Sequence, residues 1–211
     1  MKTILVANPK GGTGKTVTAV TVAAALAARG DRVALADADR QKSALRWLKR
    51  RPEDAAPIKR RDWSASTAVG DAPKKADWLV VDSPGSLNRG GAKDLVAEAT
   101  LVLVPLTPSW IDEDSTRRFL KKLREIKRVR KGKADIRVIA NRVRPRSRAF
   151  EALADALAGM GEPPLACISE RAAYGELARN GLSVFDRTQK PYREMQAQWQ
   201  PILALLDAEA G

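Results

Sequence analysis

The residue types most suited to chemistry in this 211-residue chain lie together near its start, in Asn8-Pro-Lys-Gly-Gly-Thr-Gly-Lys-Thr16. Gly11, Gly12 and Gly14 permit a turn whose backbone amides face inward around an anion, and Thr13 and Val17 complete the run expected to wrap it. Lys15 can reach the β- and γ-phosphates of a nucleotide as a mobile cation, while the Thr16 hydroxyl can ligate Mg²⁺. Such a loop works only between a strand that delivers it and a helix whose N-terminus adds its own amides. Both are legible: Thr3–Val6 is apolar and β-branched, and an alanine-rich helical pattern runs from Lys15 to Arg29.

Further short apolar runs at Val33–Ala36, Trp78–Val81, Leu101–Pro105 and Ile136–Ala140 alternate with helical patterns. The helices are expected at roughly Gln41–Arg50, Gly91–Glu98, Ile111–Arg130, Arg148–Met160, Arg171–Asn180 and Pro191–Asp207. This order predicts an α/β fold, a doubly wound and mostly parallel sheet with helices on both faces, of the P-loop NTPase type. The size suits one domain over residues 1–211. Arg51–Lys75, rich in charge, proline and small residues, reads as a weak strand plus connections.

Composition removes several functions. Cys167 is the only cysteine and there is no histidine, so no intramolecular disulfide, ordinary zinc site or imidazole catalysis is open to the chain. The first residues run straight into a strand pattern, and no stretch of about 18 apolar residues occurs, so the expectation is a cytoplasmic protein without membrane insertion. The net charge of +13 favours polyanions, nucleic acid or an acidic membrane surface, without choosing between them.

Pro9 stands where the usual phosphate-loop pattern has glycine, and Lys10 precedes the glycine pair. Lys10-Gly-Gly-Thr-Gly-Lys-Thr16 thereby resembles the deviant Walker A loop of the ParA/MinD family of ATPases, most closely the small ParA-type partitioning proteins. The resemblance implies slow, partner-stimulated ATP hydrolysis and a nucleotide-dependent homodimer in which Lys10 reaches the partner's phosphates. Leu35-Ala-Asp-Ala-Asp-Arg-Gln41 resembles the family's first switch; there Asp39 would position the attacking water and support Mg²⁺, although Arg40 replaces the usual proline. In an extended chain Asp37 and Asp39 share a side, so both could face the phosphates. Trp78-Leu-Val-Val-Asp82, followed by Ser83-Pro-Gly, is similar to the Walker B strand and second switch, with Asp82 holding the metal through water. Asn141, ending Val138-Ile-Ala-Asn, matches the family asparagine that contacts adenine. Leu103–Ser109, Ile168–Arg171 and Gly181–Val184 extend the likeness along nearly the whole chain.

Between Arg117 and Lys133 the chain carries ten lysines and arginines against one acid, Glu125, with Phe119, Leu120, Leu123 and Ile126 at helical spacing. One face is therefore core and the other cationic. Arg117, Arg118, Lys121, Lys122, Arg124, Lys127, Arg128, Arg142, Arg144 and Arg146 are the candidates for binding DNA by its phosphates, without sequence preference, as the ParA branch does. A second set lies at Lys42, Arg46, Lys49, Arg50 and Arg51. The expectation is a nucleoid-associated partitioning ATPase stimulated by a centromere-binding partner. Its rival is a MinD-like or scaffold-positioning ATPase that localises a protein complex. The tail from Pro201 to Gly211 has no Lys or Arg, which argues against attraction to anionic lipid.

Overall fold

A computed structural model describes residues 1–64, 73, 75–85, 91–108 and 113–210. The strands are β1 (Lys2–Val6), β2 (Val33–Asp37), β3 (Ile58–Asp62), β4 (Trp78–Asp82), β5 (Leu101–Leu106), β6 (Asp135–Val143) and β7 (Ala166–Ser169). All pair in parallel in the order β3-β2-β4-β1-β5-β6-β7. β3 is the weak strand expected within Arg51–Lys75; residues 65–72 and 74 of that stretch lie outside the described residues. β7 has no counterpart among the expected strands, because four residues are too few to show a period.

The helices are α1 (Lys15–Ala28), α2 (Ser43–Lys49), α3 (Gly91–Glu98), α4 (Glu113–Glu125), α5 (Lys127–Arg130), α6 (Arg148–Gly159), α7 (Ala172–Arg179), α8 (Lys190–Ala197) and α9 (Gln200–Ala210). Two expected long helices are each broken in two. Ile126 is extended, at φ −65° and ψ 129°, and separates α4 from α5. Pro201 explains the break before α9: it cannot donate to the preceding turn, and its ring clashes with the carbonyl four residues back. The expected helix start at Ile111 and the end of the Leu103–Ser109 segment lie outside the described residues.

Strand alternation divides the interior into two cores. Ile4, Val6, Val33, Leu35, Val80, Leu101 and Leu103 pack against α1, Ala44 and Trp47 of α2, and Ile202 and Leu206 of α9. Leu5, Ala34, Ala36, Val81, Val102 and Val104 point the other way, onto Leu95 and Val96 of α3, Leu120 and Leu123 of α4, and Leu153 and Leu157 of α6. Strands buried on both faces are what an all-parallel sheet demands. α1 is buried along almost its whole length, and its small alanines let it fit between the sheet and the C-terminal helices. From β1 the chain crosses through α1 to β2 on one side. From β4 it passes by α3, in the opposite layer, to β5 on the other, opening a crevice at the strand ends beside β1.

Candidate functional site

The glycine loop emerges from β1 into that crevice and is held by two asparagines. Asn8, 3% exposed, donates from its amide to Pro105 O at 2.8 Å and accepts from Lys10 N at 2.8 Å, tying the loop to the end of β5. Asn141, at the end of β6, donates to Thr13 O at 2.8 Å and accepts from Arg142 N at 3.0 Å. Gly14 caps α1 at φ 90°, and a β-carbon there would lie 2.1 Å from the Asn141 amide nitrogen. Both the left-handed backbone and the close approach require glycine at this position. The Thr13 hydroxyl and the Lys15 ammonium both turn onto Lys10 O, at 3.4 and 3.2 Å. Gly11, Gly12 and the Lys10 side chain are exposed.

Around Lys15 stand the expected carboxylates, in three different environments. Asp82, in the same row of the sheet as Asp37 and Val6, is 1% exposed, and neither of its oxygens has a hydrogen-bond partner. Burial pushes its pKa up to about 7. The Thr16 hydroxyl and Lys15 beside it pull the other way, and Asp37 and Asp39 add repulsion. Burial lowers the Lys15 ammonium below the ordinary lysine range, with Asp82 and Asp39 opposing. Asp39 is half-buried and bridges the segments that follow β2 and β4, accepting from Gln41 N at 2.8 Å and Gly85 N at 3.2 Å. Asp37 does not face the phosphate region as a free carboxylate. It accepts from Asp39 N and Leu45 N, both at 3.0 Å, and so anchors the start of α2. Burial raises its pKa and these backbone amides resist the rise. The return of α2 onto the strand end is invisible in the sequence pattern of β2.

The loop is flanked by two clefts. One, of 610 Å³, is lined by Gly14, Val17, Asn141, Ile168, Ser169 and Tyr174 among others and lies beside the loop. Asn141, the expected base contact, lines this cleft with one N–H and one lone pair left after its two bonds. The other cleft, of 590 Å³, lies against Lys10, Gly11 and Gly12. Arg142, Arg144 and Glu170 line both. Arg142 has φ 55° and occupies the irregularity between β6 and β7, the kind of bulge that re-aims a side chain at a functional edge. Glu170 accepts from Arg144 Nε at 2.7 Å and lies 3.7 Å from Arg142. Asn8, Glu170 and Tyr174 were not singled out in the sequence; a polar residue closing an apolar strand was the one available signal, and it applied to Asn8.

The ten DNA candidates do not form one surface. Arg142, Arg144 and Arg146 belong to the crevice edge, whereas Arg117, Arg118, Lys121, Lys122 and Arg124 ride on α4, and Lys127 and Arg128 on α5. Arg124 pairs with Glu162, and Arg128 Nε donates to Ala99 O at 2.5 Å.

A glycine loop opening a helix at the end of a central parallel strand, with an orphaned carboxylate at the end of the neighbouring strand, defines a phosphate-loop nucleotide-binding protein. Residues 4–184 match the model of the CobQ/CobB/MinD/ParA nucleotide-binding domain, and the chain belongs to that family. It is 30% identical over 201 residues to the maintenance of carboxysome distribution protein A of Halothiobacillus neapolitanus, covering 87% of this chain and 86% of that protein. The protein of the same name from Gloeobacter kilaueensis is 33% identical over 218 residues, covering 99% and 95%. Protein ParA of Rhizobium radiobacter is 30% identical over 193 residues, covering 86% and 84%. Among solved structures, the MinD cell division protein of Aquifex aeolicus superposes with a TM-score of 0.72 at 18% identity, over 97% of this chain and 98% of that one. Cobyrinic acid a,c-diamide synthase of Mycobacterium smegmatis, with bound ATP analogue and magnesium, superposes at 0.66 and 20% identity, over 85% and 93%.

Proposed function

We propose that the chain is a ParA-type ATPase that closes into a homodimer around ATP and Mg²⁺ and in that state holds duplex DNA without reading its sequence. Asp82 carries the reading. A buried carboxylate with both oxygens unpartnered, beside Lys15 and Thr16, is costly on its own and is completed by a cation. Mg²⁺ is bound through one or two carboxylates plus water and phosphate oxygens, which is the donor set offered by Thr16, Asp82 through water, and Asp39. Bound there, Mg²⁺ would neutralise charge on the β- and γ-phosphates.

The remaining work belongs to the chain. The loop amides from Gly11 to Val17 cradle phosphate, and Lys15 leaves Lys10 O for the phosphate oxygens. Asp39, already fixed by one backbone amide on each switch, holds the attacking water in line. Positioning and charge neutralisation are what phosphoryl transfer to water needs, so the lack of histidine is no obstacle. Lys10, exposed and without a side-chain partner among the described residues, reaches the phosphates held by the second copy. The solved relative with ATP analogue and magnesium supports this choice of ligand.

The cargo is a plasmid or chromosome, moved with the help of a centromere-binding protein that stimulates turnover. A second reading is favoured by the two relatives named for carboxysome distribution: the same DNA-riding switch positions a protein complex instead. Either way the protein works in the cytoplasm on the nucleoid, and no described helix is long and apolar enough to cross a membrane. The test is anisotropy of random-sequence duplex DNA with no nucleotide, ADP or ATP-Mg²⁺, using wild type and Lys10→Ala. Tight, salt-sensitive binding with ATP that Lys10→Ala abolishes is expected. Binding indifferent to nucleotide reduces the DNA role to charge attraction, and no binding in any state removes it. Affinity capture of the cargo separates the two readings.

A further inference from the structure

Ion pairing sorts the surplus cations of this chain into spent and unspent. At the crevice edge, Glu170 engages Arg142 and Arg144. Beside α2, Asp62 takes Lys42 and Arg60, and Asp186 takes Arg51. On α4, α5 and the residue that caps α5 the pattern differs: Arg117, Lys121, Lys127, Arg130 and Lys131 are exposed and have no ion pair among the described residues. Three of the cations on these helices, Arg117, Lys121 and Arg130, converge with Arg124 on a cleft of 400 Å³, floored by Leu120 and Met160. Two acids also line it. Glu162 is engaged by Arg124, and Glu125 stands on the exposed rim.

We propose that this cleft between α4, α5 and the end of α6 is the seat of a DNA phosphodiester, and that the crevice arginines are not. The inference rests on the DNA-binding reading above and gives it a place. A recess lined by guanidinium and ammonium groups, with Leu120 and Met160 as its apolar lining, fits a backbone phosphate and its sugar. Such contacts position duplex without specifying sequence.

Location adds a consequence. Arg128, on α5, bonds Ala99 O just before β5, and Met160 and Glu162 lie just before β7, so the cleft runs down α4 towards the edge where strands begin. The phosphate loop lies at the opposite edge, where strands end. Nucleotide therefore cannot complete the cleft by touching it. It acts by doubling the number of clefts on one particle, since two linked sites gain avidity with no new contact. A single chain keeps weak DNA binding, with about half the salt dependence of the dimer.

The test compares two charge reversals of equal size in the full chain: Arg117→Glu with Lys121→Glu in the cleft, and Lys59→Glu with Arg61→Glu on the β3 edge. Thermal melting and binding of a fluorescent ATP analogue check that each folds and loads. The cleft pair is expected to lose about 30-fold or more in ATP-state affinity for random duplex, and the log–log salt slope to fall by about three to four, two contacts from each of the dimer's two clefts. The β3 pair should lose only a few-fold. Equal losses from both pairs, or a cleft pair that binds as wild type does, overturn the proposal while leaving DNA binding intact. A wild-type protein that ignores DNA in every state overturns the DNA reading itself, and one that ignores DNA but binds polyglutamate through these residues makes the cleft a seat for an acidic protein.

Discussion

Asp82 and Asp186 are both nearly inaccessible carboxylates, and they differ in every other respect. Asp186 is held bidentately by Arg51 at 2.8 and 3.0 Å and also accepts from Ser183 N at 2.7 Å. Arg51 in turn lies 5.0 Å above the Trp47 ring and donates to Ala56 O and Gly181 O. Gly181 has φ 69°, and a β-carbon there would meet the Arg50 carbonyl at 2.5 Å, so this corner is closed on all sides. Asp82 has neither oxygen satisfied. A buried charge that is saturated by its own chain is architecture; one left open at a strand end is not explained by the fold alone.

The largest effect should come from breaking the saturated region. Arg51→Ala leaves Asp186 buried without its cation, and a loss of about 3–5 kcal/mol is expected in urea unfolding. ATP turnover per folded molecule should stay near wild type. If Arg51→Ala costs less than about 1 kcal/mol, the corner is not the staple its geometry indicates.

Asp39→Ala inverts the pattern. Turnover of ATP should fall about 100-fold, equivalent to about 2.7 kcal/mol of barrier, while the unfolding midpoint moves little because Asp39 is half-buried and holds only loop amides. Binding of ATP should persist, so a single-turnover measurement isolates the step. Unchanged hydrolysis would take the water-positioning role away from this residue.

Asp82→Asn sharpens the contrast from the stability side. The folded pKa near 7 lies above the unfolded value of about 3.9, so between those pH values the folded chain binds more protons than the unfolded one. Stability from this group thus falls as pH rises from about 4 to 7, and the full penalty is present above 7. Asparagine removes the charge but leaves an unpaired amide, so the expected gain is about 1–2 kcal/mol at pH 8, shrinking towards zero at pH 5. Unfolding without nucleotide or metal, at both pH values, reads this directly. A variant less stable at pH 8 would mean that Asp82 is partnered after all.

What was legible in the sequence follows the range of the interactions. The glycine loop, its strand and its helix form one continuous segment, and Asp82 closes an apolar run, so local pattern sufficed for both. Asp37 reads in the sequence only as a second carboxylate that could face the phosphates, because one of the two amides that hold it belongs to α2, eight residues later at Leu45. Asn8 finds its partner 97 residues away on Pro105, and Glu170 finds Arg144 across 26. No periodicity reports such pairings. The basic helix was visible as a run of charge, whereas the sorting of cations into paired and unpaired required the positions of Glu162, Glu170 and Asp62. The break before α9 was within reach, since Pro201 was on the page and its effect on the preceding turn is general.

The wall of the 610 Å³ cleft beside the glycine loop offers the smallest and most discriminating test, because it is saturated yet lies at the candidate site. Tyr174 lines the cleft, and its hydroxyl, pushed up to about 12 chiefly by burial, accepts from Trp199 Nε1 at 2.9 Å. The rings meet edge-on with centroids 6.3 Å apart, and the adjoining Gln198 side chain accepts from Ser169 N and Oγ on the same wall. By the rule drawn from Asp82 and Asp186, this closed network is scaffold. Tyr174→Phe should then cost about 1 kcal/mol of stability, the worth of one buried hydrogen bond, and shift nucleotide affinity by less than about threefold. Phenylalanine keeps the ring against the cleft, so packing is preserved and only the link to Trp199 is cut. A loss of affinity well beyond the loss of stability would show that the C-terminal helices sense the nucleotide through this bond. Saturation would then no longer separate architecture from function.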